Sequence, residues 1–403
     1  TWSGSKGYPR TTTFHEGRLY FGGAKSRPNT VFASRVGRFF DFNPGEGLDD
    51  DSIEVTLATD NTNAIVGMFS GRDLQIFTKG GEFFLPQSSL DPITPSNVVI
   101  NGATRRGAKE GIKPVGAESG TLFIQRAGKA LREFLFSDVE LSYISNNISL
   151  LSSHLLKNPT DMALRKATST TDGDLLLLVN ATDGSLATYS ILRGQNVIAP
   201  SLSTTDGTFE KVGVDVDQIY FVIKRTISSS TKYYVECFND DNTTDSSKLL
   251  SGGSKPSTTT VTGLSHLEGK TVKVIADDSM QNDKTVSSGQ ITLDAVPTTY
   301  VEIGLDYTPE VKTLPVELKL SSGNIVAQKK RIIEATCNLY LSQNLTLNGK
   351  DFLFTVGSGQ FFTGKKRRKP MLGFDREGQM TFSQSSPLFF TLLGVEYKVS
   401  VGQ

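Results

Sequence analysis

Short apolar runs, each closed by a glycine- or serine-bearing turn and answered by a second run, recur through the first 240 residues. Gly17-Arg-Leu-Tyr-Phe-Gly-Gly is followed by Thr30-Val-Phe-Ala-Ser, and Gly71-Arg-Asp-Leu-Gln-Ile-Phe-Thr turns at Lys79-Gly-Gly into Glu82-Phe-Phe-Leu. Gly120-Thr-Leu-Phe-Ile turns at Ala127-Gly-Lys into Ala130-Leu-Arg-Glu-Phe, and Asp174-Leu-Leu-Leu-Leu-Val turns through Thr182-Asp-Gly into Ser185-Leu-Ala-Thr-Tyr. Asp217-Gln-Ile-Tyr-Phe-Val-Ile turns through Ser228-Ser-Ser into Lys232-Tyr-Tyr-Val. The units start at 17, 71, 120, 173 and 217, with spacings of 54, 49, 53 and 44 residues. Hairpins repeating about every 50 residues suit the blades of a β-propeller. A large β-sandwich with regular hairpins is the other arrangement, and five evenly spaced units are more than it requires.

One short helix is expected to interrupt the series at 149–157, capped by Ser149 and stopped by Asn158-Pro159. The polar, low-complexity stretch 241–262 reads as a linker or long loop. Short strands at Thr271–Ala276, Gln290–Asp294 and Thr299–Gly304 then predict a compact barrel-like module over 263–310. In the last section, 311–403, the odd positions of 333–341 and of 395–401 are apolar, the period of a strand with one buried face. These late strands are candidates to complete the last blade of the 1–240 domain. The fold expected is therefore all-β: a propeller-like domain of repeated hairpins, a small inserted β-barrel-like module and C-terminal strands.

Charge narrows the function classes. Lys and Arg number 42 and are matched by 42 Asp and Glu, so the formal charge is zero. A protein that grips nucleic acid through phosphates carries a basic excess. No apolar stretch approaches the roughly 18 residues of a membrane span, and no signal peptide is visible. The first residue is Thr1, which leads us to expect a trimmed or processed part of a longer product. Cys237 and Cys337 lie in apolar runs a hundred residues apart; both read as small buried hydrophobes.

Catalytic chemistry finds little footing. Of the three histidines, His15, His154 and His266, none stands in a nucleophile elbow or a zinc-binding helix. Successive carboxylates at Asp49-Asp50-Asp51 and at Asp240-Asp241 point different ways on an extended chain, so they read as solvated turns rather than a catalytic pair or calcium site. No phosphate-cradling loop is present, no cofactor is called for, and the chain reads as a non-enzyme. The one sharp charge run is Lys365, Lys366, Arg367, Arg368 and Lys369, between Gly364 and Pro370. It is either a loop that contacts DNA or an acidic neighbour, or an exposed tip that resists aggregation.

Several segments, taken in order, resemble one family. They are Trp2-Ser-Gly, Gly7-Tyr-Pro-Arg, Phe14-His-Glu-Gly-Arg-Leu-Tyr-Phe-Gly-Gly, Lys25-Ser-Arg-Pro and Val31-Phe-Ala-Ser-Arg through Gly37-Arg-Phe-Phe-Asp-Phe. Further on come Gly80-Gly-Glu-Phe, Ile93-Thr-Pro-Ser-Asn, Leu122-Phe-Ile-Gln-Arg with Leu131-Arg-Glu, Leu150-Leu-Ser-Ser-His-Leu with Asp161-Met-Ala, and Gly263-Leu-Ser-His-Leu-Glu-Gly. Together, over residues 2 to 340, they resemble the tail nozzle protein (tail tubular protein B) of short-tailed, podovirus-type bacteriophages. The resemblance implies a structural virion protein of the phage tail, made in the host cytoplasm. It implies a ring, a hexamer, below the portal and the tail adaptor protein, a conduit and gate for transient passage of double-stranded DNA and a platform for tail fibres or spikes. A propeller-type receptor or glycan-binding tail module is the alternative, and a polysaccharide-degrading enzyme a third. With Trp2 as the only tryptophan, stacking on sugars has little to work with.

Overall fold

The fold is described from a computed structural model covering residues 2–58, 63–86, 92–118, 120–169, 172–317, 319–320, 323–324, 328–354, 357, 359–369 and 373–402. It is all-β, and its helical segments among these residues are four single 3-10 turns. The chain divides into two compact units, residues 1–225 with 232–238, and residues 226–231 with 239–403.

The first unit is a succession of antiparallel meanders. The first sheet is β1 (Thr11–His15), β2 (Arg18–Ala24), β3 (Arg27–Ala33) and β4 (Ile53–Thr56). The second is β5 (Ile65–Ser70), β6 (Leu74–Thr78), β7 (Glu82–Leu85) and β8 (Asn101–Thr104). The third is β9 (Val115–Ala117), β10 (Gly120–Ile124), β11 (Leu131–Ser137) and β12 (Ser142–Asn147). The fourth is β13 (Pro159–Arg165), β14 (Asp174–Asn180), β15 (Leu186–Leu192) and β16 (Val197–Ser203). The fifth has three strands, β17 (Thr208–Asp215), β18 (Gln218–Ile227) and β19 (Ser230–Cys237). Each sheet takes its strands in chain order, the pattern of propeller blades. The five hairpins legible in the sequence are β2–β3, β6–β7, β10–β11, β14–β15 and β18–β19.

Side-chain alternation explains why those hairpins read as continuous apolar runs. On β6, Leu74 and Ile76 join Tyr20, Val31 and Ala33 of the first sheet in one core. Phe77, on the opposite face, joins Phe123 and Phe134 of the third sheet. On β10 the neighbour Leu122 packs with Leu176 and Leu178 of β14, while Leu177 and Val179 pack with Ile219, Phe221 and Ile223 of β18. A middle strand thus buries both faces, which removes the polar half of the usual period-two pattern. Polar contacts bridge the same seams. Tyr143 Oη donates to Asp73 Oδ2 at 2.9 Å, and Arg193 pairs with buried Glu133. Gly23 (φ +76°) lies so close to the second sheet that a Cβ there would sit 2.3 Å from the carbonyl oxygen of Ile65.

The helix expected at 149–157 is only a 3-10 turn, Ser153–Leu155. Ser149, expected as its cap, is buried and instead accepts the Leu131 N–H at 2.9 Å. Asn158, at φ +60°, turns the chain into β13.

The second unit holds two cores. In one, Thr271–Ala276 and Tyr300–Leu305 pair, and Asp245–Ser251 joins the outer side of Tyr300–Leu305. Val272, Val274, Val301 and Ile303 fill it, together with Val261 and Ile291 of the paired strands Thr260–Thr262 and Gln290–Thr292. The stretch 241–262, expected as a linker, therefore supplies two of the module's strands. Thr243 and Thr244 are buried against Glu302, whereas Ser246 and Ser247 are half-buried on an edge strand and Thr260 and Thr262 are exposed, positions where polar side chains are compatible with pairing.

The other core lies under a sheet in which Lys330–Ser342 is flanked by Phe362–Arg368 and Thr391–Val401. The late strands expected to complete the last blade instead partner one another. The register shifts between Ile332 and Glu334 and again between Asn338 and Leu339. The expected alternation holds for Ala335, Cys337 and Leu339, whereas Ile333 and Leu341 turn outward.

Two-sided burial makes a prediction. Leu176→Ala and Leu177→Ala, on opposite faces of β14, should each lower unfolding free energy by about 2–5 kcal/mol. Gly23→Ala should also destabilise, through both backbone conformation and the clash with Ile65. Urea titrations of the three variants check this, and a near-neutral result at either leucine would mean that its face of the fourth sheet is not packed.

Candidate functional site: the basic strand and the buried charges

The basic run is not a loop. Residues 362–368 form an edge strand paired to Lys330–Ser342, with Lys365 opposite Asn338, Lys366 opposite Cys337, Arg367 opposite Thr336 and Arg368 opposite Ala335. Cross-strand pairing against a long apolar partner overrides the loop reading that charge density suggested. A strand splits consecutive cations between two faces. Lys365 and Arg367 lie on the exposed face, where Lys365 Nζ is 2.6 Å from Glu396 Oε1 and Arg367 Nη1 is 3.6 Å from Glu334 Oε1. Lys366 and Arg368 are half-buried on the other face. The Lys366 ammonium donates to the Leu353 carbonyl at 2.9 Å and lies 4.6 Å from the centroid of the Phe362 ring. Arg368 donates to the Asp351 carbonyl and sits 5.8 Å from the Phe352 ring centroid. Lys369, past the strand end, is exposed. Four of the five cations are thus engaged within their own unit, and their strand is a charged sheet edge of the kind that discourages pairing with other strands.

Asp51 corrects a second expectation. Its neighbours Asp49 and Asp50 are exposed, but Asp51 is buried. Its Oδ2 accepts the N–H groups of Glu46, Gly47 and Leu48 at 3.0, 2.9 and 2.9 Å, and its Oδ1 lies 2.9 Å from Arg35 Nη2. Those backbone N–H bonds, that of Leu48 first, hold the carboxyl below the usual carboxylate range. Beside it, Arg18 is 1% exposed. Its guanidinium donates to three carbonyls, those of Ser34 (2.8 Å), Asp51 (2.5 Å) and Asp49 (2.7 Å), while burial lowers its proton affinity. One cation and one anion therefore fix the long connection between β3 and β4.

Other buried charges act alike. Arg225 grips both carboxylate oxygens of Glu236 at 2.7 Å across the β18–β19 hairpin and donates to the Asp206 carbonyl at 2.8 Å. Glu302 accepts the N–H groups of Thr243 and Thr244 at 2.9 and 2.7 Å, and burial nevertheless pushes its carboxyl up. The sequence signal for these residues was a lone charge inside an apolar strand, as in Gly17-Arg18-Leu-Tyr and Tyr300-Val-Glu302-Ile.

His15 is buried, with Nδ1 2.8 Å from Ser70 Oγ; His266 Nε2 is 3.2 Å from the Ser246 carbonyl oxygen; His154 is exposed on its 3-10 turn. Asp240 and Asp241 are exposed. Among the described residues no cluster of three or more His, Cys, Asp or Glu is placed to hold a metal, and no helix is long and apolar enough to cross a membrane. Cys337 is buried as expected, and burial pushes its thiol up to about 11. Cys237 is exposed, because β19 alternates and Cys237 shares the outward set with Tyr233 and Val235.

Two predictions follow from these contacts. Lys366→Ser and Arg368→Ser should each cost about 1 kcal/mol of stability through lost ring and carbonyl contacts, whereas Lys365→Ser and Arg367→Ser should stay within about 0.5 kcal/mol. Denaturant midpoints decide, and equal effects on both faces would contradict this division. Stability should also fall in acid. Asp51 is held low, and Asp183 lies at about 2, where burial is outweighed by hydrogen bonds from Lys157 and Ser185. A depressed carboxyl stabilises above its unfolded value of about 3.9, and that stability is lost as pH falls through the folded value. Thermal melts between pH 5 and 2 should show the decline, and Asp51→Asn should flatten it.

No protein-family model and no curated protein matches the chain. Solved structures aligned with it include an exo-β-1,3-galactanase from Phanerochaete chrysosporium, at 9% identity and TM-score 0.25, covering 98% of this chain and 96% of that one. The β-propeller domain of Vanderwaltozyma polyspora Nup133 aligns at 10% identity and TM-score 0.33, over 75% and 84%. The allergen Mala s 1 of Malassezia sympodialis aligns at 10% or less, namely 8% identity and TM-score 0.24, over 53% and 86%. Scores this low carry no argument about function.

Proposed function

We propose that the chain is a structural subunit of the tail nozzle of a short-tailed bacteriophage, closing with copies of itself into a ring below the tail adaptor. The observation that carries the reading is what the family-like motif between Trp2 and Phe42 does. Trp2 meets Phe21, Phe32 and Phe42 edge-on at centroid distances of 5.0, 5.8 and 5.6 Å. Arg18 ties down the β3–β4 connection, and Gly23 permits the approach of the second sheet. These contacts build a rigid scaffold, which is what a mechanical component of a virion requires. The zero net charge and the self-engaged basic strand suit a conduit, since each phosphate gripped would add salt-sensitive affinity and slow sliding. In this role the ring would pass double-stranded DNA along its lumen and carry fibres or spikes outside.

Native mass spectrometry and electron microscopy of the assembled protein test the proposal. The expected result is a closed ring of six copies with a continuous axial channel, found at the distal tail of particles. A chain that remains monomeric and is absent from the tail axis would remove the reading.

A further inference from the structure

Two of the exposed apolar surfaces of the first unit differ from one another. One is on the β3–β4 connection. Phe40 is 92% exposed, and Leu48, Val36 and Phe14 are each about half exposed or more; Phe14 stacks edge-on against Phe39 at 5.1 Å. This loop is not loose. Arg18 and Asp51 hold it from beneath, and the Val36 and Gly37 N–H groups are bonded to the carbonyls of Asp50 and Gly17 at 3.1 and 2.8 Å. Large apolar side chains on a backbone already fixed lose little entropy on binding, which is the character of an anchor.

The other surface is the outer face of the fifth sheet. Its inner face packs on the fourth through Ile219, Phe221 and Ile223. On the outer face Tyr220, Tyr233 and Val235 are 41, 63 and 75% exposed, and Lys211, opposite half-buried Val222, borders them. The two surfaces differ in charge. The loop is fringed by the exposed acids Glu16, Glu46, Asp49 and Asp50, against Arg38 and the paired Arg35. The sheet face carries exposed Lys224 and Lys211, the latter 3.9 Å from Asp161 Oδ2, with Asp215 at its margin, while exposed Lys232 alternates to the other side of β19.

We infer that the aromatic loop of one copy docks on the outer face of the fifth sheet of the next, an apolar contact with an acidic rim meeting a basic one. Joining two different patches makes a heterologous, head-to-tail interface, and such an interface closes into a ring or runs into a filament. The inference rests on the ring-subunit reading and adds to it which surfaces meet.

Thiol chemistry separates the possibilities, because Cys237 lies on the proposed docking face and Cys337 is buried. Asn43→Cys, at an exposed position of the same loop that leaves Phe40 in place, treated with a short bismaleimide, should give a ladder of dimers, trimers and higher species on a denaturing gel. The ladder should collapse to at most dimers when either cysteine is absent, as in the unaltered chain or in Asn43→Cys with Cys237→Ser. Phe40→Ala should weaken association about tenfold or more, and raising salt should weaken it further. Cross-linked dimers that persist undiminished in Asn43→Cys with Cys237→Ser, without a ladder in Asn43→Cys alone, would mean loop meets loop and overturn the inference. A ring by native mass spectrometry with no ladder would overturn this contact and leave the ring intact. A chain that is monomeric throughout would remove both.

Discussion

The constraint on which the first unit depends is that its middle sheets are covered on both sides. In a sheet between two others the strands β6 and β14 have no wet face, so their side chains are apolar or, for the most part, have their polar atoms satisfied within the seam. Leu175 to Val179 meet the first condition. Asn180 meets the second, donating to the Leu155 carbonyl at 2.9 Å and to Ser185 Oγ at 3.0 Å while accepting the Lys157 N–H at 2.9 Å. Tyr143, stacked on Phe134 at 4.6 Å, keeps its hydroxyl on Asp73. The same condition leaves the first and fifth sheets each with one face that no other sheet of the series covers. At the first, Trp2, Phe21, Phe32 and Phe42 cover one another; at the fifth, tyrosines and a valine stay open.

Long connections between such sheets carry many backbone polar groups and few apolar side chains, and here single buried charges organise them. A guanidinium offers five N–H donors in a plane, enough for Arg18 to satisfy three carbonyls from two ends of one loop. A carboxylate offers several acceptor positions, and Asp51 uses one oxygen for three consecutive N–H groups. Each is costly to bury alone, but their solvation shells are replaced by fixed peptide dipoles and by Arg35. The result is a rigid loop without regular secondary structure, and that rigidity is what gives the exposed Phe39 and Phe40 a defined position.

How much of this could be read from the sequence depends on how local the cause is. The five central hairpins were legible because two-sided burial writes a long apolar run and because their turns carry glycine or serine, as at Ser228 and Ser229, both at positive φ. Their flanking strands were not: β8 is Asn-Gly-Ala-Thr and β16 is exposed along its whole length, so pairing with a neighbour, rather than composition, makes them strands. Ser149 looked like a helix cap because a serine before leucines satisfies that local rule, yet a distant N–H claims its hydroxyl. Likewise the charge run at 365 to 369 gave no sign of its partner strand, and Asp51 could not be told from Asp49 without the N–H groups folded around it. The strand at 330 to 342 was legible in its middle and misread at its ends, where register shifts turn Ile333 and Leu341 outward.

The distribution of charge bears on the nozzle proposal more than its total does. Zero net charge alone would allow a strongly basic patch balanced by acids elsewhere, and five consecutive cations look like such a patch. On a strand, alternation prevents it: Lys365 and Arg367 face Glu396 and Glu334, while Lys366 and Arg368 spend their donors on carbonyls and rest over phenylalanine rings. Two of the five cations are answered by carboxylates and two by neutral carbonyls and rings, so the segment keeps a positive charge that is spread over two faces rather than gathered into one patch. In the proposed ring, apolar contact adds to these charges, and the exposed aromatics of the β3–β4 loop are one place where the first unit offers it.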